Sequence, residues 1–281
     1  MKLGSHVSIR NGYEGAAQHA AKLGGKSFQY FPKNPRSLSV KSFDVKDAER
    51  CARFCREQGM ESIAHAPYPT NLSVDEPEMR LVLKASLAND MEIAEACGSV
   101  GLVVHFGKYK GKDPLEGYRL MIEMLNELLS DWKGQLLLLI ENNAGQGIRM
   151  GTTFEELVQV RNLTDYPDKI GYCLDTCHAY ASGLWNGSNW EQVVEAGEKL
   201  DYFSHLKAIH LNDSAYGYTS YRDRHANVGR GHIGQGGMKQ LLQSNVVKGL
   251  PVVLETPSSS TYSHQDEICF IQQELLGLGF S

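Results

Sequence analysis

Short apolar or β-branched runs alternate with longer amphipathic segments eight times along this 281-residue chain. The candidate strands are LGSHVSI, SFQYF, ESIAHA, VGLVVHFG, QLLLLIEN, IGYCLDT, LKAIHLN and PVVLETP. Between several of them, apolar residues recur at three- and four-residue spacing, as in EGAAQHAAKLG and DVKDAERCARFCREQG, which predicts helices. Eight successive βα units in a chain of this length predict a closed (β/α)8 TIM barrel. The alternative is an open doubly wound sheet, but no Gly-rich phosphate turn follows the first strand.

The bulk properties are those of one globular domain, which we predict to span residues 1–281. Hydrophobic residues make up 42% and charged residues 22% of the chain, as in ordinary folded enzymes. The opening MKLGSHVSIR lacks the apolar segment of a signal peptide, and the longest aliphatic run, Leu136 to Ile140, is too short to cross a membrane. Six cysteines without a CxxC pair do not form a disulfide framework. We therefore expect a cytoplasmic protein without membrane association.

The formal net charge is −5, with 28 basic and 33 acidic residues. This balance argues against a general nucleic-acid coat, whose affinity comes from overall positive charge. A polyanionic substrate would therefore have to be held by a local site.

Imidazoles and carboxylates stand at the ends of six consecutive candidate strands. In a βα barrel these ends converge on one face, where active sites are built, so distant residues become neighbours. A single strand-end histidine is more often a hydrogen-bonded core residue, but so many ionisable groups on one rim would repel each other without cations between them. The candidate ligands, including two from the polar loop after the seventh strand, are His65, His105, Glu141, Asp175, His178, His210, Asp223, His225 and Glu255.

Mixed histidine and carboxylate ligands favour zinc, with manganese or iron as possible substitutes. Nine ligands are too many for one ion, and at three or four ligands each they suit three ions with a bridging carboxylate. Three divalent ions would outweigh the four carboxylates and leave a positive pocket suited to a phosphate. The segment CLDTCH also offers two thiols. We expect Cys173 to point into the barrel and neither Cys173 nor Cys177 to be a ligand.

Distinctive motifs extend over nearly the full length of the chain: GSHVSI, KNPR, HAPY, VVHFG, ENNAGQG, LDTCHAYASG, HLNDS, DRHANVGRGHIG and LETP. In these motifs the chain resembles the endonuclease IV family of zinc-dependent apurinic/apyrimidinic endonucleases. The resemblance implies one zinc on His65, His105 and Glu141. It implies a second on Glu141, Asp175, His210 and Glu255, and a third on His178, Asp223 and His225.

The resemblance further implies hydrolysis of double-stranded DNA on the 5′ side of an abasic site, leaving a 3′-hydroxyl. Glu141, shared by two ions, and Glu255, which would orient or deprotonate the attacking water, are the implied catalytic residues. Asn34, Arg36 and Tyr68 are the implied DNA-binding residues. Lys108, Lys110 and Lys112 form a basic loop beside His105 that could contact phosphate. The chain departs from the usual family residues at Lys108, Pro69, Ala215 and Arg230, away from the implied ligands.

Two other functions are compatible with parts of the pattern. Sugar isomerases and epimerases of related barrels also carry histidines and carboxylates at strand ends, but they usually hold one or two ions. Asp223 and His225, which a third ion requires, argue against that reading. A non-catalytic protein that binds abasic DNA through structural zinc would bind damaged duplex without cleaving it. No obligate protein partner is expected.

Overall fold

The computed structural model describes residues 1–277, so the end of the predicted domain, residues 278–281, lies outside the described residues. Eight parallel strands close into a barrel. All eight predicted strands are present, and the predicted TIM barrel is confirmed. The barrel strands are Lys2–His6 (β1), Ser27–Tyr30 (β2), Glu61–His65 (β3), Gly101–His105 (β4), Leu137–Glu141 (β5), Ile170–Asp175 (β6), Leu206–His210 (β7) and Pro251–Leu254 (β10). Around the barrel they are hydrogen-bonded in the order β1-β10-β7-β6-β5-β4-β3-β2.

Helices cover the outside of the barrel. They are Gly12–Lys22 (α1), Val45–Gln58 (α2), Pro77–Ala96 (α3), Pro114–Asp131 (α4), Phe154–Leu163 (α5), Thr176–Ser182 (α6), Trp190–Lys199 (α7), Gly234–Gln243 (α8) and His264–Phe270 (α9). Local sequence sets several of their ends. Asp44 caps α2 through its side chain, and Gly59 ends that helix in the left-handed conformation. Within residues 1–277, no helix combines the length and apolarity that crossing a membrane requires.

The long connection after β7 contains a small antiparallel hairpin. Its two short strands are Asp213–Ser214 (β8) and His225–Ala226 (β9), and they pair in the register Asp213 with Ala226 and Ser214 with His225. The hairpin thereby holds His225 beside the carboxyl end of the barrel, although the loop between its strands is long and polar.

Six strands contribute one layer of fully buried apolar residues to the interior of the barrel. These residues are Ile63, Val103, Leu139, Cys173, Ala208 and Val253. On β1 and β2 the interior is much tighter, because a Cβ added at Gly4 would lie 1.7 Å from the carbonyl oxygen of Ser27. The layer lies below the mouth of the barrel, and the strand-end side chains lie above it. Cys173 belongs to this layer, as its alternation with Asp175 predicts.

Candidate metal centre at the carboxyl end of the barrel

The six strand-end ligands follow from the inner layer by the two-residue repeat of a β-strand. Each lies two positions beyond a residue of that layer, so its side chain points to the same interior side, one level higher. His65 follows Ile63 in this way, and Glu255 follows Val253. Strand pairing then sets neighbours side by side, with His105 opposite Glu141 and Asp175 opposite His210.

A cavity of about 700 Å³ opens at this level of the barrel. Most of the candidate ligands line it, while Asp175 and His210 lie fully buried below its floor. The ligands in its wall are His65, His105, Glu141, His178, Asp223, His225 and Glu255. Seven of the nine predicted residues therefore line one cavity, and the other two have ligand atoms within 4.8 Å of those of Glu141 and Glu255.

The first group consists of His65, His105 and Glu141, from β3, β4 and β5. Oε2 of Glu141 lies 3.5 Å from Nε2 of His65 and 3.7 Å from Nε2 of His105. Glu141 and His65 are buried, whereas His105 is partly exposed to the cavity.

The second group consists of Glu141, Asp175, His210 and Glu255. Nδ1 of His210 lies 3.1 Å from Oε1 of Glu141 and 3.2 Å from Oε2 of Glu255. The two oxygens of Glu141 therefore face different groups, one facing His65 and His105 and the other facing His210. Such a carboxylate is suited to bridge two cations.

The third group consists of His178, Asp223 and His225. Oδ1 of Asp223 lies 3.2 Å from Nε2 of His178 and 3.3 Å from Nε2 of His225. His178 enters the site because α6 begins directly after β6, where Asp175 accepts a hydrogen bond from the His178 backbone N–H. Asp223 comes from the loop of the hairpin, and its backbone N–H donates to Gln146.

The spacing of these atoms fits metal ions at all three groups. Two ligand atoms that each lie about 2.1 Å from one tetrahedral ion are about 3.4 Å apart. In the described part of the chain, buried polar atoms without a hydrogen-bond partner include Oε2 of Glu141, Nε2 of His178 and Nε2 of His225. Buried polar atoms are normally satisfied, and the groups nearest to these three atoms are other candidate ligands. The three atoms therefore have the chemical type and the position of metal ligands.

Backbone carbonyls fix which nitrogen of three of these imidazoles is available to a cation. Nδ1 of His65 lies 2.7 Å from the carbonyl oxygen of Ala66, and Nδ1 of His178 lies 2.9 Å from that of Asn142. Nδ1 of His225 lies 3.4 Å from the carbonyl oxygen of Glu255. A carbonyl only accepts, so Nδ1 carries a proton in each ring. Nε2, which faces the carboxylates, is the nitrogen that a cation can occupy.

The pKa values show how closely the ionisable groups are coupled. Burial lowers the pKa of His178, but Asp175 and Asp223 outweigh burial and raise it well above its ordinary value. Burial also opposes a charged His225, yet Asp223 and Asp175 raise its pKa to about 9. Burial raises the pKa of a carboxylic acid, but the facing imidazoles hold that of Glu255 at about 2. The carboxylates thus bind positive charge strongly, which is the property a cation site needs.

The two thiols of CLDTCH differ in position. Cys173 lies in the buried inner layer, where burial raises its pKa to about 11. Sγ of Cys177 lies within 4.8 Å of ligand atoms of Asp175 and His225. Burial raises the pKa of Cys177 to about 12, and because metal ligation needs the thiolate, that high value favours a neutral thiol there. That neither cysteine is a ligand stays a prediction.

The predicted DNA-binding residues lie on one rim of the cavity. Tyr68 is 66% exposed, and its ring packs edge-on against Phe31 at 5.1 Å between centroids. Asn34 and Arg36 are exposed on the loop after β2, and the backbone N–H of Tyr68 donates to the carbonyl of Pro35 in that loop. Lys108 and Lys110 line the same cavity, whereas Lys112 is exposed beyond it. Among the departures, Pro69 lies in the cavity wall, and Ala215 and Arg230 are exposed.

Two further residues occupy the same level and were missed by reasoning from the sequence. His6 of β1 and Gln29 of β2 stand opposite each other in the strand register and complete the ring of inward-facing residues. Gln29 is fully buried and His6 lines the cavity. The two-residue repeat from Gly4 and Ser27 predicts both positions. Gln29 carries an amide rather than an imidazole or a carboxylate, and His6 lies in the middle of the predicted strand LGSHVSI rather than at its end.

Known proteins resemble this chain over almost its whole length. The family model described as Xylose isomerase-like TIM barrel matches residues 17–274. A probable endonuclease 4 from Symbiobacterium thermophilum is 44% identical over 275 residues, which cover 98% of this chain and 100% of that protein. Endonuclease IV from Thermus thermophilus has a similar structure, with a TM-score of 0.85 and 30% identity over 99% of this chain and 100% of that one.

More distant structures share only the fold. A D-tagatose 3-epimerase-like protein is 19% identical and has a TM-score of 0.71, with 99% of this chain and 98% of that chain covered. At that identity the match says nothing about activity. The full-length matches at 44% and 30% identity, in contrast, show the family. The chain belongs to the endonuclease IV family of the xylose isomerase-like TIM barrels.

Proposed function

We propose that this protein is a metal-dependent DNA-repair endonuclease that hydrolyses the phosphodiester bond 5′ to an abasic site and leaves a 3′-hydroxyl. The observation that carries the proposal is the meeting of three ligand groups at one barrel mouth, two of them joined through Glu141. Family membership supports the endonuclease activity, since relatives over the full chain are named endonuclease 4.

Three zinc ions fit the three groups. His65, His105 and Glu141 would hold one ion, and Glu141 with Asp175, His210 and Glu255 would hold another. His178, Asp223 and His225 would hold the third. When bound, the ions would activate water and neutralise the charge that develops on the phosphate and on the leaving oxygen.

Glu255 is suited to handle the attacking water. Its carboxylate lies in the cavity wall with a side chain that is 19% exposed, whereas Glu141 and Asp175 are buried. Asn212 donates a hydrogen bond to its Oε2 at 3.2 Å, which limits rotation of the carboxylate. Glu255 would therefore orient the water and accept its proton, while Glu141 holds two ions in a fixed relation.

The cavity and its rim suit damaged double-stranded DNA. An abasic nucleotide has little stacking to lose, so it leaves the helix at low cost and can enter a cavity of this volume. The exposed ring of Tyr68 could replace the lost stacking, and Arg36 and Asn34 lie on the adjacent loop. Lys108 and Lys110 would contact the phosphates beside the lesion.

The decisive experiment uses a duplex with a single tetrahydrofuran abasic analogue. We expect scission 5′ to the analogue, no scission of the undamaged duplex, and loss of activity after prolonged chelation. Metal analysis should give about three zinc ions per chain. Glu141→Ala should abolish scission and lower the metal content, whereas Glu57→Ala, at an exposed position of α2, should change neither.

The competing functions predict different results. A sugar isomerase would leave the duplex intact and interconvert an aldose with a ketose. A non-catalytic protein would bind the abasic duplex tightly and never cut it. Either result, obtained with zinc-loaded protein, would contradict the proposal.

A further inference from the structure

The side chain of Gln29 makes contacts to three ionisable groups inside the barrel. Its amide nitrogen lies 2.6 Å from Oε1 of Glu255 and 3.2 Å from Nδ1 of His6. Its amide oxygen lies 2.6 Å from Nε2 of His210. Gln29 is fully buried, so these hydrogen bonds do not compete with water.

The chemistry of the partners fixes the orientation of this amide. A carboxylate that binds a cation is ionised and only accepts hydrogen bonds, so the NH2 group of Gln29 must face Glu255. The reverse orientation would place two oxygens 2.6 Å apart without a proton between them. The carbonyl oxygen then faces His210, and Nε2 of that ring must carry a proton.

This assignment leaves Nδ1 of His210 as the nitrogen available to a metal ion. That atom lies 3.1 Å from Glu141 and 3.2 Å from Glu255, inside the second ligand group. His65, His178 and His225 show the opposite choice, because backbone carbonyls contact their Nδ1 atoms and leave Nε2 to the site. At His210 alone among these four rings, a side chain supplies the acceptor, and a side chain can be replaced.

We propose that Gln29 is a positioning residue of the second metal site, which sets the tautomer of His210 and holds the carboxylate of Glu255. With Asn212 on its other oxygen, Glu255 is held from both sides. Partners of metal ligands commonly contribute about 10- to 100-fold to metal affinity. The inference rests on the proposed metal function and concerns one of its three sites.

The test compares zinc binding by wild-type protein, Gln29→Met and Gln18→Met. Methionine is close to glutamine in size but makes none of the three hydrogen bonds, and Gln18 is an exposed control position on α1. In titrations against a competing chelator, Gln29→Met should bind one of three zinc ions about 10- to 100-fold more weakly and retain the other two. Gln18→Met should match wild type. If folded Gln29→Met binds all three zinc ions as tightly as wild-type protein does, the inference is overturned.

A second measurement needs no change at position 29. In zinc-loaded wild-type protein with ¹⁵N-labelled histidine, long-range proton–nitrogen spectra should show His210 protonated at Nε2 and bound to zinc through Nδ1. The signal is assigned by its loss in His210→Asn. Zinc bound through Nε2 of His210 would overturn the inference even if three ions bind. A wild-type protein that binds no zinc would instead contradict the proposed function.

Discussion

Nε2 of His178 lies 3.2 Å from Oδ1 of Asp223, although His178 is on α6 and Asp223 is on the loop between β8 and β9. The same oxygen lies 3.3 Å from Nε2 of His225. This arrangement completes the third ligand group, which separates the proposed nuclease from barrels that hold one or two ions.

Replacing Asp223 with asparagine should remove the third ion. The variant keeps the shape of the side chain but loses the charge that joins His178 to His225. We expect about two zinc ions per chain and a decrease in kcat on abasic duplex of about 100-fold or more, the usual cost of losing an electrostatic contact to the transition state. Elemental analysis and single-turnover kinetics measure these quantities. Asp168→Asn, at the opposite end of the barrel, is the control. An Asp223→Asn enzyme that binds three zinc ions and cleaves at the normal rate would contradict the assignment of Asp223 to the third ion.

The stability of chelator-stripped protein should fall as the pH rises above neutrality. Burial opposes the charge of His225, but Asp223 and Asp175 outweigh it and raise the pKa to about 9, above the ordinary value of 6.5. The stabilisation is therefore complete below pH 6.5 and is lost as the pH passes through 9, by an amount on the order of 3 kcal/mol. Urea unfolding at pH 6.5 and pH 9.5 measures the difference. His225→Asn should flatten the dependence.

Zinc affinity should show the opposite pH dependence. Metal ions displace the protons that His178 and His225 bind, so affinity should rise with pH and binding should release protons. Calorimetric titration in buffers of different ionisation enthalpy counts the released protons. Proton release that does not change between pH 6 and pH 9 would disagree with the ligand assignment.

Replacing Tyr68 should weaken DNA binding without affecting the metals. Its exposed ring packs on Phe31 beside the cavity and is proposed to stack at the lesion. We expect Tyr68→Ala to raise the Kd for abasic duplex about 5- to 100-fold, in line with the loss of one aromatic stacking contact. Tyr68→Phe, which keeps the ring, should bind almost normally. Fluorescence anisotropy measures the affinity, and equal binding by the Ala and Phe variants would exclude a stacking role.

A buried ion pair anchors the loop that carries Asn34 and Arg36. Nζ of Lys33 lies 3.2 Å from Oδ2 of Asp90 on α3, and it donates to the carbonyl and hydroxyl oxygens of Ser86. Asp90→Ala leaves a buried lysine without its counter-ion, so we expect a loss of about 3 to 5 kcal/mol of unfolding free energy.

The control for that prediction is the double variant Lys33→Met/Asp90→Leu. It removes both charges and fills the space with apolar atoms, so it should be clearly more stable than Asp90→Ala. Urea denaturation of zinc-loaded protein measures the free energy of unfolding of both variants. Equal stability of the two variants would mean that the charge of Lys33 is not the cause of the loss.

The positions of six strand-end side chains could be predicted because strand alternation is local. His65 stands two residues beyond Ile63, and the same step joins Cys173 to Asp175. The two side chains of each pair therefore lie on the same side of their strand. The barrel then gathers the strand ends because eight βα units leave few other ways to bury both faces of the sheet. Asp223 and His225 could be named as candidates because they lie in the polar loop after the seventh strand. Only the resemblance implied that they share an ion with His178, since a polar loop has no such periodicity.

The amino-acid sequence by itself determined the eight-unit barrel and the types of side chain at its mouth, because apolar periodicity and residue identity are properties of each segment alone. Only the tertiary structure decided that Gln29 and His6 complete the ring, and that His210 offers Nδ1 while His65, His178 and His225 offer Nε2. The physical reason is that the proton of a neutral imidazole takes the nitrogen that faces an acceptor. For His178 and His210 that acceptor comes from a distant strand or loop, and folding alone brings it into contact.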